Sequence, residues 1–149
     1  MQLTRFTDYS LRVLIYLGLH PKRLVTIGEI KEIYNISEGH LMKIVNKLAT
    51  LDYIETIRGK GGGMRLAAPP DRIIVGKVVR DTEENLNIVE CFDPGNQSCP
   101  LLPSCTLQAV LIEGREGFLN VLDRYTLADL IRKENRRLNS RQKRLPNLK

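Results

Sequence analysis

Thr26-Ile27-Gly28-Glu29-Ile30-Lys31-Glu32-Ile33-Tyr34-Asn35-Ile36-Ser37-Glu38-Gly39-His40-Leu41-Met42-Lys43-Ile44-Val45-Asn46-Lys47-Leu48 is the stretch that decides the fold. Thr26 and Glu29 have capping-box spacing: the threonine oxygen accepts from an exposed backbone amide while the glutamate reaches back. The helix they open continues through Ile30 and Ile33. Tyr34-Asn35-Ile36 forms a short link to Ser37, a second residue suited to starting a helix. Leu41, Ile44, Val45 and Leu48 then share one face at helical spacing. Two short capped helices a few residues apart, the second with a polar free face, make a helix-turn-helix. Spacing alone would describe only a core, and two lysines alone only a solvated surface.

Just downstream, Tyr53-Ile54-Glu55-Thr56-Ile57 and Met64-Arg65-Leu66-Ala67 alternate like strands around Arg58-Gly59-Lys60-Gly61-Gly62-Gly63, which reads as a basic hairpin tip. A helix-turn-helix followed by such a hairpin is a winged helix. The residues expected to touch DNA are Ser37, His40, Lys43, Asn46 and Lys47 from the second helix, with Arg58, Lys60 and Arg65 from the wing. Arginine and lysine there suit phosphates or a narrow minor groove. The glycine run lacks the G-x-x-x-x-G-K-[ST] order and a following helix cap, which excludes a nucleotide-binding loop. Upstream, Thr7-Asp8-Tyr9-Ser10 precedes Leu11, Leu14, Ile15, Leu17 and Leu19, a first helix closed by Pro21. The expected fold class is therefore mainly α with a small β wing.

The charge distribution agrees with a polyanion face. The 149 residues carry a formal net charge of +6 and are 42% hydrophobic. Residues 1–80 hold 13 Lys/Arg against 7 Asp/Glu, residues 81–131 hold 2 against 9, and residues 132–149 hold 8 against 1. The expected organisation follows that division: a winged-helix DNA-binding domain at 1–80, a loop and long helix at 81–131, and a basic disordered tail at 132–149. No apolar run approaches the ~18 residues of a membrane helix. No signal-like apolar stretch follows Met1-Gln2-Leu3-Thr4-Arg5, so a soluble cytoplasmic protein is expected. There are no internal repeats.

Beyond Pro69-Pro70, Ile73–Arg80 reads as a short helix leading into acidic Asp81-Thr82-Glu83-Glu84. Cys91, Cys99 and Cys105 then lie in one loop punctuated by Pro94, Pro100 and Pro103, and no other cysteine occurs in the chain. Three soft thiolates in one short loop suit an iron–sulfur cluster or zinc. The odd count argues against a disulfide framework. Zinc sites more often pair cysteines as C-x2-C or add a nearby histidine, and none follows His40. Inert, buried thiols are the remaining alternative. From Thr106 to about Tyr125, Leu107, Val110, Leu111, Phe118, Leu119, Val121 and Leu122 recur at helical intervals. A helix so apolar with little chain left to cover it is expected to meet the same helix of a second subunit, in a homodimer. Thr126-Leu127-Ala128-Asp129 is a further capping box opening a short last helix.

With these motifs placed, the chain to about Ala128 resembles the IscR/NsrR/RirA superfamily of winged-helix transcription factors, in its nitric-oxide-sensitive repressor branch. The resemblance rests on Met1-Gln2-Leu3-Thr4 with Thr7-Asp8-Tyr9, on Ser37-Glu38-Gly39-His40-Leu41-Met42-Lys43, on Ile57–Gly63 with Arg65-Leu66, on Val89-Glu90-Cys91 through Cys105, and on Tyr125–Leu130. It implies a homodimer on a palindromic double-stranded operator, released when nitric oxide attacks a cluster held by the three cysteines. The cluster is expected to be 4Fe-4S rather than 2Fe-2S. It also implies that Asp8 of the other subunit is the fourth ligand. In the branch that regulates cluster assembly, a histidine three residues past the last cysteine serves instead, and here that position is Gln108. The seven-residue gap between Cys91 and Cys99 is longer than the family's usual spacing, a difference a loop tolerates at small entropic cost.

Two other readings remain: an iron- or cluster-status regulator of the same family, and a zinc- or redox-binding winged-helix protein with no operator. No enzyme is expected. His20 and His40 are the only histidines, and neither has a nucleophile or carboxylate at catalytic spacing.

Overall fold

The computed structural model of the chain describes residues 2–96 and 98–144, with side chains as far as residue 136. Thr4 opens the first helix earlier than the apolar pattern suggests, because its hydroxyl accepts from the Thr7 amide at 3.2 Å and so satisfies a first-turn donor. Helix α1 spans Arg5–Leu19, α2 Ile27–Tyr34 and α3 Glu38–Thr50. Asn35, in the left-handed conformation at φ 52°, ends α2 and turns the chain toward Ser37.

The hairpin follows as β1, Ile54–Ile57, and β2, Gly63–Leu66, paired antiparallel with Ile54 opposite Leu66 and Glu55 opposite Arg65. At its tip Gly59 and Gly61 hold φ of 99° and 79°, which explains why glycines stand there. Val25 bonds Met64 on the free edge of β2, with N–O distances of 2.8 and 3.0 Å, and so joins the wing to the helices.

A turn of 3-10 helix at Pro70–Arg72 leads to α4, Val75–Thr82. A second such turn at Glu90–Phe92 precedes the cysteine loop, which ends in α5, Thr106–Asp123. The last helix, α6, spans Leu127–Arg144. Its capping box is complete. The Thr126 amide donates to Asp129 Oδ2 at 3.0 Å and the Asp129 amide donates to Thr126 Oγ1 at 3.3 Å. The basic segment from residue 132, expected as a disordered tail, is helical as far as Arg144. Lysine, arginine, glutamate and leucine are good helix formers, and Pro146 is the first breaker after Thr126. Residues 145–149 of that expected tail lie outside the described residues.

One core joins the first three helices, the wing and α6. Val13, Leu14, Ile30, Leu41, Ile44 and Leu48 are fully buried, with Met64 of the wing and Leu127 of α6 beside them. Each such side chain contributes ~1.5–3 kcal/mol by leaving water. Gly76 lets α4 lie against α5: a Cβ there would come within 2.0 Å of Asp123 Oδ1 and 3.0 Å of its backbone nitrogen. No helix among the described residues is long and apolar enough to cross a membrane.

Candidate nucleic-acid interface and cysteine site

The buried face of α3 carries Leu41, Ile44, Val45 and Leu48, which turns Gly39, Lys43, Asn46 and Thr50 outward. Ser37 sits at the N-cap with extended backbone but makes no side-chain cap bond, so its exposed hydroxyl is available to a ligand. Lys43, Asn46 and Lys47 are exposed along the same face. Met42, which sequence reasoning passed over, is 50% exposed at its edge. An apolar side chain there is the type that contacts a thymine methyl group.

His40, expected to face DNA, is half-buried. Its ring lies 5.2 Å from that of Tyr9, edge-on, and 6.2 Å from that of Phe6, so α1 half-covers it. In the wing, Arg58 and Lys60 are exposed and have no ion pair among the described residues. Arg65 is exposed too, but its guanidinium is held by Glu55 across the strand pair.

Behind this face the helices are locked by half-buried acids. Glu29 does not reach back to Thr26. Thr26 caps α2 alone, accepting from the Glu29 amide at 3.3 Å, while the Glu29 carboxylate turns to a stronger set of donors. Arg23 pairs with it and the Tyr16 hydroxyl donates to it at 2.6 Å, which holds Glu29 down at about 2. At the other end, the Tyr53 hydroxyl and Lys77 Nζ each donate to Asp81 Oδ2 at 2.6 Å. Burial pushes Asp81 up, but these two bonds outweigh it and keep it below the ordinary aspartate value, while burial raises Tyr53. Glu83 accepts from the Thr4 amide at 2.8 Å and from its hydroxyl at 3.1 Å. The chain leading to the cysteines is thus tied to the caps of the winged helix.

All three cysteines are free thiols. Cys91 lies in the Glu90–Phe92 turn, Cys99 is exposed mid-loop, and Cys105 is the N-cap of α5. The Cys105 sulfur accepts from the Gln108 amide at 3.4 Å, and the Gln108 side chain donates to the Cys91 carbonyl at 3.0 Å. Arg115 stands 4.9 Å from the Phe92 ring centroid. Gln108 stands at the third position after the Cys105 N-cap, where a capping box places Glu or Gln, a spacing already visible in the sequence. Asp8 lies in the first turn of α1, 45% exposed, with Arg12 Nε at 3.1 Å from one carboxylate oxygen and Arg12 Nη2 at 2.7 Å from the other. Among the described residues, no three His, Cys, Asp or Glu side chains are gathered to hold a metal ion. The chain alone therefore does not bring Cys91, Cys99, Cys105 and Asp8 together. The donor set still fits an iron–sulfur cluster, because three free thiols share one loop and Gln108 of α5 bonds both the Cys105 sulfur and the Cys91 carbonyl.

Residues 3–133 match the family described as Rrf2, iron-dependent transcriptional regulator. The chain belongs to the Rrf2 family. Among similar Rrf2 proteins, the HTH-type transcriptional regulator NsrR of Bacillus subtilis is 52% identical over 133 residues, covering 89% of this chain and 91% of that protein. The regulator of the same description from Geobacillus kaustophilus is 54% identical, covering 88% of this chain and 90% of that one. A solved structure of CymR, the global cysteine regulator of B. subtilis, superposes with a TM-score of 0.71 at 25% identity, covering 89% of this chain and 98% of that one. The T. potens IscR structure gives 0.72 at 23% identity, covering 90% and 88%, and shares the fold. This Rrf2 chain is a winged-helix transcriptional regulator and not an enzyme.

Proposed function

We propose that this regulator is a cytoplasmic homodimeric repressor that binds a palindromic DNA operator and senses nitric oxide through an iron–sulfur cluster held by Cys91, Cys99 and Cys105. The observation that carries the reading is Gln108 at the start of α5, which bonds the Cys105 sulfur and the Cys91 backbone carbonyl, on a chain whose other half presents a polar α3 face beside a basic wing. The high identity to regulators named NsrR favours the nitric-oxide-sensitive branch. When bound, the cluster would supply iron that reacts with a small diatomic ligand, and a carboxylate such as Asp8 is a hard, labile partner for it.

The second subunit is expected on α5. Leu107, Val110 and Val121 are 63%, 57% and 42% exposed, although they are apolar. With Gly114 and Gly117 they form a stripe at alternating spacings of three and four, the pattern of a helix-pairing seam. A Cβ at either glycine would meet nothing within 4 Å, so a second copy of α5 can cross closely there. Asp8 of the partner subunit would then complete the site.

The chain's own contacts supply the route to DNA. Phe6 and Tyr9, on either side of Asp8, pack on His40 of α3. A change in the grip on Asp8 would shift α1 under the start of α3, biasing the dimer between operator-competent and incompetent arrangements. Lys43, Asn46, Lys47 and Ser37 would read or position the operator, with Arg58, Lys60 and Arg65 on its backbone.

Absorption spectra of protein purified without oxygen, recorded with operator binding before and after nitric oxide, test this reading. A brown protein that needs each cysteine for its colour, and that loses both colour and operator on nitric oxide, is expected. A colourless protein with stoichiometric zinc after growth in ample iron would instead favour the operator-free zinc-binding alternative.

A further inference from the structure

We propose that Gln108 is the positioning residue of the cysteine site. The inference rests on the reading of the three cysteines as one thiolate site, and it adds the device that holds two of them in register. Gln108 donates to the cysteine loop from both its backbone and its side chain. Its backbone amide donates to the Cys105 sulfur at 3.4 Å, and its side-chain amide donates to the Cys91 carbonyl at 3.0 Å. One residue of a regular helix therefore bonds the backbone of the first cysteine and the sulfur of the last, which are fourteen positions apart in sequence.

A second contact on the same side of α5 secures the same turn. Arg115, two helical turns beyond Gln108, lies over the ring of Phe92, the residue after Cys91. Residues seven apart share a helix face. Gln108 and Arg115 together pin the Glu90–Phe92 turn along α5, while the stripe of Leu107, Val110 and Val121 stays exposed. Cys99 has no such tie among the described residues and is exposed mid-loop. The site is thus divided: Cys91 and Cys105 are placed before any metal arrives, and Cys99 closes onto them.

The structure assigns Gln108 this role because groups that orient ligands from behind tune metal affinity by about 10–100-fold. Cobalt(II) is the probe, since its thiolate charge-transfer absorption counts sulfur ligands without assembling a cluster. Titration of reduced, metal-free full-length protein should show thiolate-to-cobalt absorption in the wild type. Gln108→Ala and the isosteric non-donor Gln108→Glu should bind ~10–100-fold more weakly, with unchanged absorption at saturation. Gln108→Lys, whose ammonium can donate to the same carbonyl, should recover most of that loss. Wild-type affinity in both Gln108→Ala and Gln108→Glu would overturn the role given to Gln108 while leaving the thiolate site standing. No thiolate absorption in the wild type would overturn the site itself, and this inference with it.

Discussion

Helix α3 has 13 residues and buries four side chains, whereas α5 has 18 residues and buries only Leu119. Both were picked out by the same apolar spacing. The difference is where the cover comes from. Leu41, Ile44, Val45 and Leu48 meet α1, β1 and the neighbouring helices of their own chain, so the winged helix completes its own core. On α5, Leu107, Val110 and Val121 stay 63%, 57% and 42% exposed among the described residues. Apolar periodicity shows that a face is to be covered, and leaves open whether the cover lies in the same molecule.

Truncating each face separates the two cases. Leu41→Ala should lower unfolding stability by about 2–5 kcal/mol, the usual cost of a cavity at a fully buried leucine. Val110→Glu should leave the unfolding midpoint of the isolated subunit almost unchanged but convert the protein to a monomer in sedimentation. Operator affinity should fall with it, since the proposed dimer would read two half-sites with its two subunits. If Val110→Glu sedimented as a dimer at micromolar concentration, α5 would be excluded as the pairing surface.

Within the DNA face a smaller contrast holds between α3 and the wing. Lys43→Ala and Asn46→Ala should each cost ~1–3 kcal/mol on the cognate operator and relax preference at one base pair. Arg58→Ala and Lys60→Ala should weaken all sequences alike, each flattening the salt dependence by about one phosphate contact. Arg65→Ala should do less, because Glu55 already neutralises that guanidinium. Equal salt slopes for wild type and Arg58→Ala would remove the wing from the phosphate backbone.

The winged helix was legible because its rules are local: caps at Thr26 and Ser37, glycines at the hairpin tip, and apolar spacing that a single core satisfies. Even there the side chains chose partners that spacing does not encode. Glu29 left its capping role for Arg23 and Tyr16, and His40 was covered by Phe6 and Tyr9, contacts that cross between helices. The cysteine site was legible as a donor set and not as a geometry. Its loop contributes no buried apolar side chain among the described residues, and the bond from Gln108 to the Cys91 carbonyl crosses seventeen positions, which capping spacing does not encode. Helix α6 runs on to Arg144 because lysine, arginine and glutamate favour a helix whatever their net charge.

The Glu29 anchor makes an acid-range prediction for the self-sufficient half. Its folded value of about 2 lies below the ordinary 4.5, so the folded protein holds fewer protons across that window. The stability it contributes is complete above pH 4.5 and is lost as the pH falls toward 2. Thermal midpoints should drop through that window in the wild type and drop less steeply in Glu29→Gln. Parallel curves for the two proteins would show that Arg23 and Tyr16 do not hold the carboxylate in solution.

Asp8 belongs to both halves of the comparison, and its substitution has the smallest expected effect on folding. Within one chain it is a first-turn carboxylate paired with Arg12, each side chain 45% exposed. Such a pair is worth ~0.2–1 kcal/mol, and the helix dipole adds a similar amount. If that were its whole role, Asp8→Ala would lower the unfolding midpoint slightly and leave the cluster's spectrum and its reaction with nitric oxide unchanged. If the partner's cluster takes this carboxylate, the same variant should still assemble on three cysteines but with an altered spectrum and an altered rate. Asp8→Cys sharpens the choice, because a thiolate is the softer ligand and should give a longer-lived, less responsive site. Arg12 holds both carboxylate oxygens, so ligation requires at least one to be released. Unaltered spectra and rates in both variants would confine Asp8 to the helix cap and leave the fourth position to another group.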